Sequence, residues 1–451
     1  YITDEHGRVL ILHGMNVMSA SKGAEDRMPP IDEAVVQRMA TDWGFNHTRF
    51  LIFWDHVEPN PGEIDQGYFD DIEQRLDWFA AADIHVVLDM HQDVYAERFC
   101  CDGAPEWAIR DDGQPFELQS QWFVNYFQPA VQRAFDNFFL YDAGEHADLQ
   151  DHYADAWVAV AERFGGHPAV IGYDLMNEPS PGSLTDGEEL LGEPNPGGPH
   201  AEFDTERLQP MFQRVIDRIR EVDTERWIFY ETRYGAPGNG LPSYMGVLED
   251  PRDGPDRLAF YPHLYSILLE ATGVYAPEND QAIPGWEEHR TAEAAIQDCP
   301  LYIGEWGMDT TFTNAHQALE DTLQMADRAT LGWAYWSLDP GSWGIVDGDW
   351  NERDSADILV RPYPRAVAGV PVARSFDPES KVFHLAFEDR DGVEGPTEIY
   401  VPAARHYPGG FTWIVSDGDD AQVTWDDTME ILSVTTPRTG GSHEIEIQPE
   451  G

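Results

Sequence analysis

Eight short apolar runs, rich in β-branched and aromatic residues, recur along the first three quarters of the chain, and segments with helical spacing lie between them. The runs are VLILHGMNV (9–17), HTRFLIFW (47–54), HVVLDMHQ (85–92), VIGYDLMNE (170–178), WIFYETR (227–233), RLAFYPHLY (257–265), LYIGEW (301–306) and GWAYWSL (332–338). They are nearly continuous in apolar character rather than alternating, which predicts strands covered on both faces. Between them DEAVVQRMATDWG, YFDDIEQRLDWFAAAD, the stretch from Gln121 to Gly165, DTERLQPMFQRVIDRIREVD and NAHQALEDTLQMADRATLG predict helices. Several open on Asp or Asn and stop at Gly, as helix ends do. Eight such units predict a closed α/β barrel of the (β/α)8 TIM type. An open doubly wound sheet is the alternative, but it would gather its polar residues at one switch point. Here they stand at the C-terminal ends of many strands.

The last barrel helix is expected in ADILVRPYPRAVAG, and beyond it the period changes. KVFHLAFE, TEIYVP, FTWIVS, AQVTW, MEILSVTT and HEIEIQP are short alternating runs broken by Gly, Asp and Pro, the pattern of a small antiparallel β-sandwich. The boundary is expected between Gly369 and Asp377, giving a barrel over 1–371 and a sandwich over 372–451. The Gly-, Pro- and acid-rich stretch 181–200 predicts a long loop over the working face. LPSYMGVLE (241–249) and SILLE (266–270) fit either two helices turned inward or an apolar rim that receives an acyl chain.

Composition narrows the choices. A chain of 451 residues with 42% hydrophobic residues and 15 Trp builds a large core, so disorder is excluded. No apolar run is long enough for an integral membrane segment. Acidic residues number 83 against 28 basic ones, a net charge of −55 that argues against nucleic acid or an anionic membrane surface as partner. Lys22 and Lys381 are the only lysines. Such a surface suits concentrated salt, where screening shortens repulsion to about 3 Å at 1 M; an acidic secreted enzyme from an Arg-rich genome is the plainer reading. Cys100, Cys101 and Cys299 form no CxxC pair, leaving open a disulfide from Cys299 to one of the others or buried free thiols. The chain opens at Tyr1 rather than Met, which fits removal of an export signal, and a secreted, extracellular protein is the expectation.

The predicted strand ends carry Asn16, Arg49, His91 with Asp93, Asn177 with Glu178, Glu231 with Arg233, His263 with Tyr265, Glu305, and Trp336. A carboxylate closing a buried strand is costly unless a site uses it, and Glu178 and Glu305 close the fourth and seventh strands, across the barrel mouth from each other. Two carboxyls flanking a glycosidic bond divide the work: one protonates the leaving oxygen and the other attacks the anomeric carbon, with retention at a separation of about 5 to 5.5 Å. Arg49 and Tyr265 are placed to donate to the nucleophile, and the Asn177 amide to hold a sugar hydroxyl. The bland alternative, two buried structural acids with Arg49 as counter-ion, needs two coincidences on the expected strands. Glu231 and Arg233, two residues apart, are expected to pair with each other. His91 and Asp93 lack an HExxH or a third spaced ligand, so hydrogen bonding to sugar is expected of them rather than metal binding.

These motifs carry a family resemblance. MNEP at the fourth strand, IGEWG at the seventh, NHTRFLIFW at the second, HLY at the sixth and WAYWS at the eighth together resemble glycoside hydrolase family 5. VLDMHQDVY followed by GAPEWA, GYDLMNEP, and LVRPYPRAVAG leading into a sandwich resemble its endoglycoceramidase branch, and the similarity runs through nearly the whole chain. The resemblance implies Glu178 as acid/base and Glu305 as nucleophile, with Lys22, His91, Asp93, Trp122, Asn177, Tyr265 and Trp336 lining the sugar pocket and Arg49 and His263 in support. It implies no cofactor, no metal, and a glycolipid or glycoside substrate.

The expectation is a retaining β-glycosidase acting between a glucose-type sugar and a lipid alcohol, the oligosaccharide–ceramide linkage foremost. An exo-acting β-glucosidase on glucosylceramide, steryl glucosides or diglycosides is the runner-up, separated by how open the pocket is beyond the first sugar. A non-catalytic glycolipid-binding module is the reading from another class, and the retention of both glutamates opposes it. The sandwich is expected to brace the barrel.

Overall fold

The computed structural model describes residues 1–141, 146–185, 192, 197–437 and 440–450. After a two-residue strand β1 (Val9–Leu10), the barrel strands are β2 (His13–Val17), β3 (His47–Phe53), β4 (His85–His91), β5 (Val170–Asp174), β6 (Trp227–Tyr230), β7 (Leu258–Phe260), β8 (Tyr302–Trp306) and β9 (Gly332–Tyr335). They run parallel in the order β7-β6-β5-β4-β3-β2-β9-β8, and the bridges Phe260↔Leu301 and Leu264↔Trp306 join the two ends, so the sheet closes. Neighbouring backbones approach closely: a Cβ on Gly14 would lie 1.7 Å from the His47 carbonyl oxygen, so that position admits only glycine.

Strand alternation builds the interior in layers. Val87, Phe229, Ala259, Tyr261 and Tyr302 fill an apolar layer, where His47 hydrogen-bonds the Tyr261 hydroxyl at 2.6 Å. Two residues further along come Arg49 and Asp89 on their strands, and Glu231 and His263 just past the ends of β6 and β7, so a charged layer lies directly on the apolar one. This stacking is why buried, apolar-looking strands end in titratable groups.

Asp32 caps the helix Glu33–Thr41 and Asp65 caps Gln66–Ala81 through their carboxylates, as expected. Asn314 does not cap: it sits at φ 61° and donates its amide to the Tyr275 carbonyl instead. The stretch from Gln121 to Gly165 is divided among a 3-10 turn Trp122–Phe127 and helices Pro129–Phe139 and Ala147–Phe164, because Pro129 has no N–H to continue a helix. Residues 241–249 are irregular rather than helical; Gln209, Gln213, Glu293 and Gln297 side chains accept their N–H groups. Ile267–Thr272 is the short helix expected there, with Leu269 buried and Leu268 exposed. Half of the predicted loop 181–200, residues 186–191 and 193–196, lies outside the described residues.

The carboxy-terminal strands are β10 (Tyr363–Val367), β11 (Val370–Phe376), β12 (Phe383–Glu388), β13 (Thr397–Tyr400), β14 (Phe411–Val415), β15 (Gln422–Asp426), β16 (Ile431–Thr435) and β17 (Ser442–Pro449). They form two antiparallel sheets, β1-β10-β13-β16-β15 and β11-β12-β17-β14. The sandwich thus takes in β10, ahead of residue 372, and borrows β1 from the other end of the chain, pairing Val9 with Val367. The continuous run 9–17 had read as one strand; the pattern records burial but not which sheet supplies the partner.

Cys100 and Cys101 are disulfide-bonded to each other and Cys299 is a free thiol, a pairing neither sequence alternative included.

Candidate active site

Arg49, on β3 and fully buried, organises the centre of the barrel mouth. Its Nε donates to Asp174 at 2.8 Å, its Nη1 to Glu305 Oε1 at 2.5 Å, and its Nη2 to Glu231 Oε1 at 3.0 Å and to the Asn177 amide oxygen at 2.9 Å, with Asp89 Oδ1 2.9 Å away. Burial alone would depress the guanidinium, yet these carboxylates raise it well above its ordinary value, so it is a permanent cation.

Glu305 lies on β8, and its two oxygens have separate partners: Arg49 on one, and on the other the Tyr265 hydroxyl, donating at 2.9 Å. Burial pushes this acid up, but the charges of His263, Arg49, His91 and Lys22 outweigh it and hold the carboxyl below its ordinary range. Glu178 follows β5 at φ 42°, a left-handed conformation that costs a non-glycine residue about 1–3 kcal/mol. Its N–H is held by Glu231 Oε2 at 3.1 Å. Burial raises the Glu178 carboxyl; the His263 hydrogen bond and charge pull it back, the Glu305 and Asp93 charges add to burial, and the acid stands above its ordinary range. The two neighbouring carboxyls are therefore tuned in opposite directions. One oxygen of Glu178 and one of Glu305 lie within 4.8 Å of each other and of a His263 nitrogen.

His263 is wedged among three acids, its Nδ1 2.9 Å from Glu178 Oε1 and 3.5 Å from Glu305 Oε2, its Nε2 3.2 Å from Glu231 Oε1. Burial opposes its charge, but Glu231 and Glu305 raise its pKa well above the usual histidine value. The expected Glu231–Arg233 pair is absent. β6 ends at Tyr230, two-residue alternation lapses beyond it, and Arg233 turns away to pair with Asp204 while Glu231 faces Arg49 and His263.

A second cluster stands beside the acids. Lys22 Nζ lies 2.5 Å from Asp93 Oδ2 and 4.3 Å over the Trp336 ring, and Trp336 stacks on His91 at 5.7 Å between centroids. His91 contacts Asp89 at 2.6 Å; burial and Lys22 lower its pKa, but Asp89 and Asp93 prevail and lift it to about 9. Asn177 accepts from Arg49 and donates one amide hydrogen to the Gln92 carbonyl at 3.0 Å. Trp122, 46% exposed, meets Tyr126 edge-on at 6.3 Å, and Tyr126 stacks on Tyr234 at 4.6 Å. The structure thus brings Lys22, Arg49, His91, Asp93, Asn177, Glu178, Glu231, His263, Tyr265, Glu305 and Trp336 together, while Arg233 leaves for Asp204 and Trp122 reaches the group only through Tyr126. Sequence reasoning missed Asp89, Asp102, Asp174 and Tyr234. Asp89 and Asp174 sit at the strand spacing that places Arg49 inward and were legible in that sense; nothing local marks Asp102 or Tyr234.

Sugars are bound by planar aromatic faces and by fixed donors and acceptors for hydroxyls, and this mouth supplies both around its carboxyl pair. A closed parallel barrel with oppositely tuned acids at the carboxy-terminal ends of its fourth and seventh strands defines a hydrolase of the glycosidase class. Residues 3–342 match the family described as cellulase (glycosyl hydrolase family 5) and residues 361–447 the family 5 C-terminal domain; the chain belongs to glycoside hydrolase family 5. It is 30% identical over 457 residues to endoglycoceramidase I of Rhodococcus hoagii, covering 98% of this chain and 85% of that protein. Among solved structures it resembles endo-glycoceramidase II from Rhodococcus sp. in complex with ganglioside GM3, at TM-score 0.91 and 38% identity over 100% of this chain and 99% of that one. The lactosyl-enzyme intermediate of that same Rhodococcus protein superposes at TM-score 0.89 and 39% identity, covering 100% of both chains.

Proposed function

We propose that this glycoside hydrolase cleaves the β-glycosidic bond joining a glycan to ceramide in glycosphingolipids, releasing intact oligosaccharide with retained configuration. The observation that carries the reading is the pair of carboxyls within 4.8 Å, Glu178 held above its ordinary pKa and Glu305 below it. The names of the similar Rhodococcus proteins supply the ceramide linkage.

In the first step the Glu305 carboxylate attacks the anomeric carbon while the Glu178 carboxyl gives its proton to the departing ceramide oxygen. Arg49 and Tyr265 hold the Glu305 oxygens so that one lone pair faces the sugar. Once Glu178 has lost its proton it is the base: it takes a proton from water, which attacks the same carbon and frees Glu305. Both acids return to their starting states, and the cycle balances without a cofactor. His91, Lys22 and Asp93 receive sugar hydroxyls, and Trp336 supplies an aromatic face.

The test is a panel of glucosylceramide, lactosylceramide, a ganglioside, a steryl glucoside and an aryl glucoside, with products resolved by chromatography and the first-formed anomer by NMR. Intact oligosaccharide from lactosylceramide and the ganglioside, released as the β-anomer, is expected. Stepwise loss of single sugars would establish exo action, and a first-formed α-anomer would exclude the covalent step.

A further inference from the structure

Behind the Lys22–Asp93–His91 cluster lies a carboxyl that the cycle above leaves unused. Asp102 is fully buried. Its Oδ1 accepts the Asp93 N–H at 3.1 Å, and the two residues form an antiparallel bridge, with the Asp102 N–H donating to the Asp93 carbonyl at 3.3 Å. Its Oδ2 is buried with no hydrogen-bond partner. A ligand atom of Asp102 lies within 4.8 Å of one on Asp93 and one on His91. The segment is pinned in place: Gly103 has φ 122°, and a Cβ there would come within 2.6 Å of Gln92 Cβ. Just before it, Cys100 is bonded to Cys101 and accepts from the Asn125 amide at 3.5 Å.

Resting on the proposed sugar-binding reading, we infer that Asp102 is a positioning residue: a carboxyl sealed behind Asp93 that holds the Asp93 backbone N–H and so fixes the carboxylate that Lys22 and His91 present to a sugar hydroxyl. The charged groups facing Asp102 are Asp93, His91, Lys22 and Arg27. Burial first, and the Asp93 charge second, push Asp102 up to about 7, while His91, Lys22 and Arg27 oppose the rise. Below that pH Asp102 is neutral, and Asp93 is the carboxylate on the Lys22 side of His91, with Asp89 on the other ring nitrogen. Above it two carboxylates stand side by side; Lys22 and His91 divide their hydrogen bonds, and the second anion repels Asp93 from its place. Asp102 touches no substrate itself. It acts through the backbone N–H and the charge of Asp93.

Three proteins decide the matter: wild type, Asp102→Asn, whose amide oxygen still accepts the Asp93 N–H but never ionises, and Asp102→Ala, which loses that anchor. Binding of free lactose is measured by calorimetry from acidic to alkaline pH, alongside kcat and KM on lactosylceramide. The expected result is wild-type affinity that falls as pH rises through neutrality, an Asp102→Asn affinity that stays flat, and an unchanged kcat at the optimum. Asp102→Ala should raise KM about tenfold at every pH, the loss of one hydrogen bond's worth of positioning. Infrared difference spectra between acidic and alkaline samples should show a protonated-carboxyl band in wild type that Asp102→Asn lacks, separating Asp102 from Glu178. An Asp102→Asn affinity that falls with pH as wild type does, or a spectrum that keeps the band, overturns the inference. If the wild type bound and cleaved no glycoside, the proposed function would fail instead, and the infrared comparison would still place or exclude the proton on Asp102.

Discussion

Arg49 faces four carboxylates at once, Asp89, Asp174, Glu231 and Glu305. Removing one partner from such a network leaves uncompensated buried charge, so Arg49→Met should destabilise the fold by about 3–5 kcal/mol, read as a shift in the urea midpoint. The acids divide differently. Glu178→Gln should slow release of a lipid alcohol by roughly 10²–10⁴-fold; on an aryl glycoside, whose leaving group needs no proton, kcat/KM should be spared while kcat falls, because the same residue is the base of the second step. Glu305→Gln should abolish turnover on both and leave folding intact. The opposite shifts also set the pH profile. Glu305 must be ionised, and its lowered pKa puts the acidic limb of kcat/KM below the ordinary glutamate value near ~4.3; Glu178 must be protonated, and its raised pKa puts the alkaline limb above that value. Measured on the residual cleavage of lactosylceramide, Glu178→Gln should lose the alkaline limb and keep the acidic one. At this scale both glutamates were legible because motif and strand position agreed. Glu231 was misread because adjacency in sequence suggested Arg233, while the strand's end at Tyr230 decided otherwise.

Among the elements, the barrel strands were legible as apolar runs, and their ends were not. Strand β5 stops at Asp174, and the residues after it, where Glu178 and its φ of 42° lie, have no repeating pattern to read. The same holds for the turn from Gln92 to Ala104, where Asp93 and Asp102 come together nine residues apart through a single bridge. Gly103→Ala should therefore distort this turn. A cost of about 1–3 kcal/mol is expected, with a rise in KM and little change in kcat, since the strain falls on the sugar side rather than on the acid pair. Thermal unfolding and steady-state kinetics on one variant check both. Residues 241–249 show the converse: their sequence fitted either a helix or an apolar rim, and long side chains from two flanking helices take up the N–H groups of an irregular segment.

Across the whole molecule, the few cations are drawn inward. Among the described residues Arg27, Arg49, Arg220, Arg233, Arg290, Arg361, Arg365 and Arg374 are buried, eight of the 28 basic residues in the chain. The surface is thereby left poorer in positive charge than the composition suggests. Mutual repulsion among surface carboxylates is screened as salt rises, so the thermal midpoint should climb between low salt and ~1 M KCl; a midpoint independent of salt would count against adaptation to concentrated salt. Arg374 on β11 contacts Asp327 at 3.1 Å, the Tyr363 hydroxyl donates to the Gly44 carbonyl at 2.7 Å, and β1 pairs with β10. These contacts tie the sandwich to the barrel, in keeping with a bracing role.

The chain's own order of residues determined the strand-and-helix alternation, the change of period near the carboxy-terminal end, the acidity, and the two glutamates, because each is a property of neighbours along the backbone. Only the tertiary structure decided that β1 joins the sandwich, that Arg233 leaves Glu231, that Cys100 bonds Cys101, and that Asp102 backs Asp93. Those outcomes depend on which distant surfaces close upon one another, and charge partners buried in the mouth of a barrel are set by that closure rather than by spacing in the sequence.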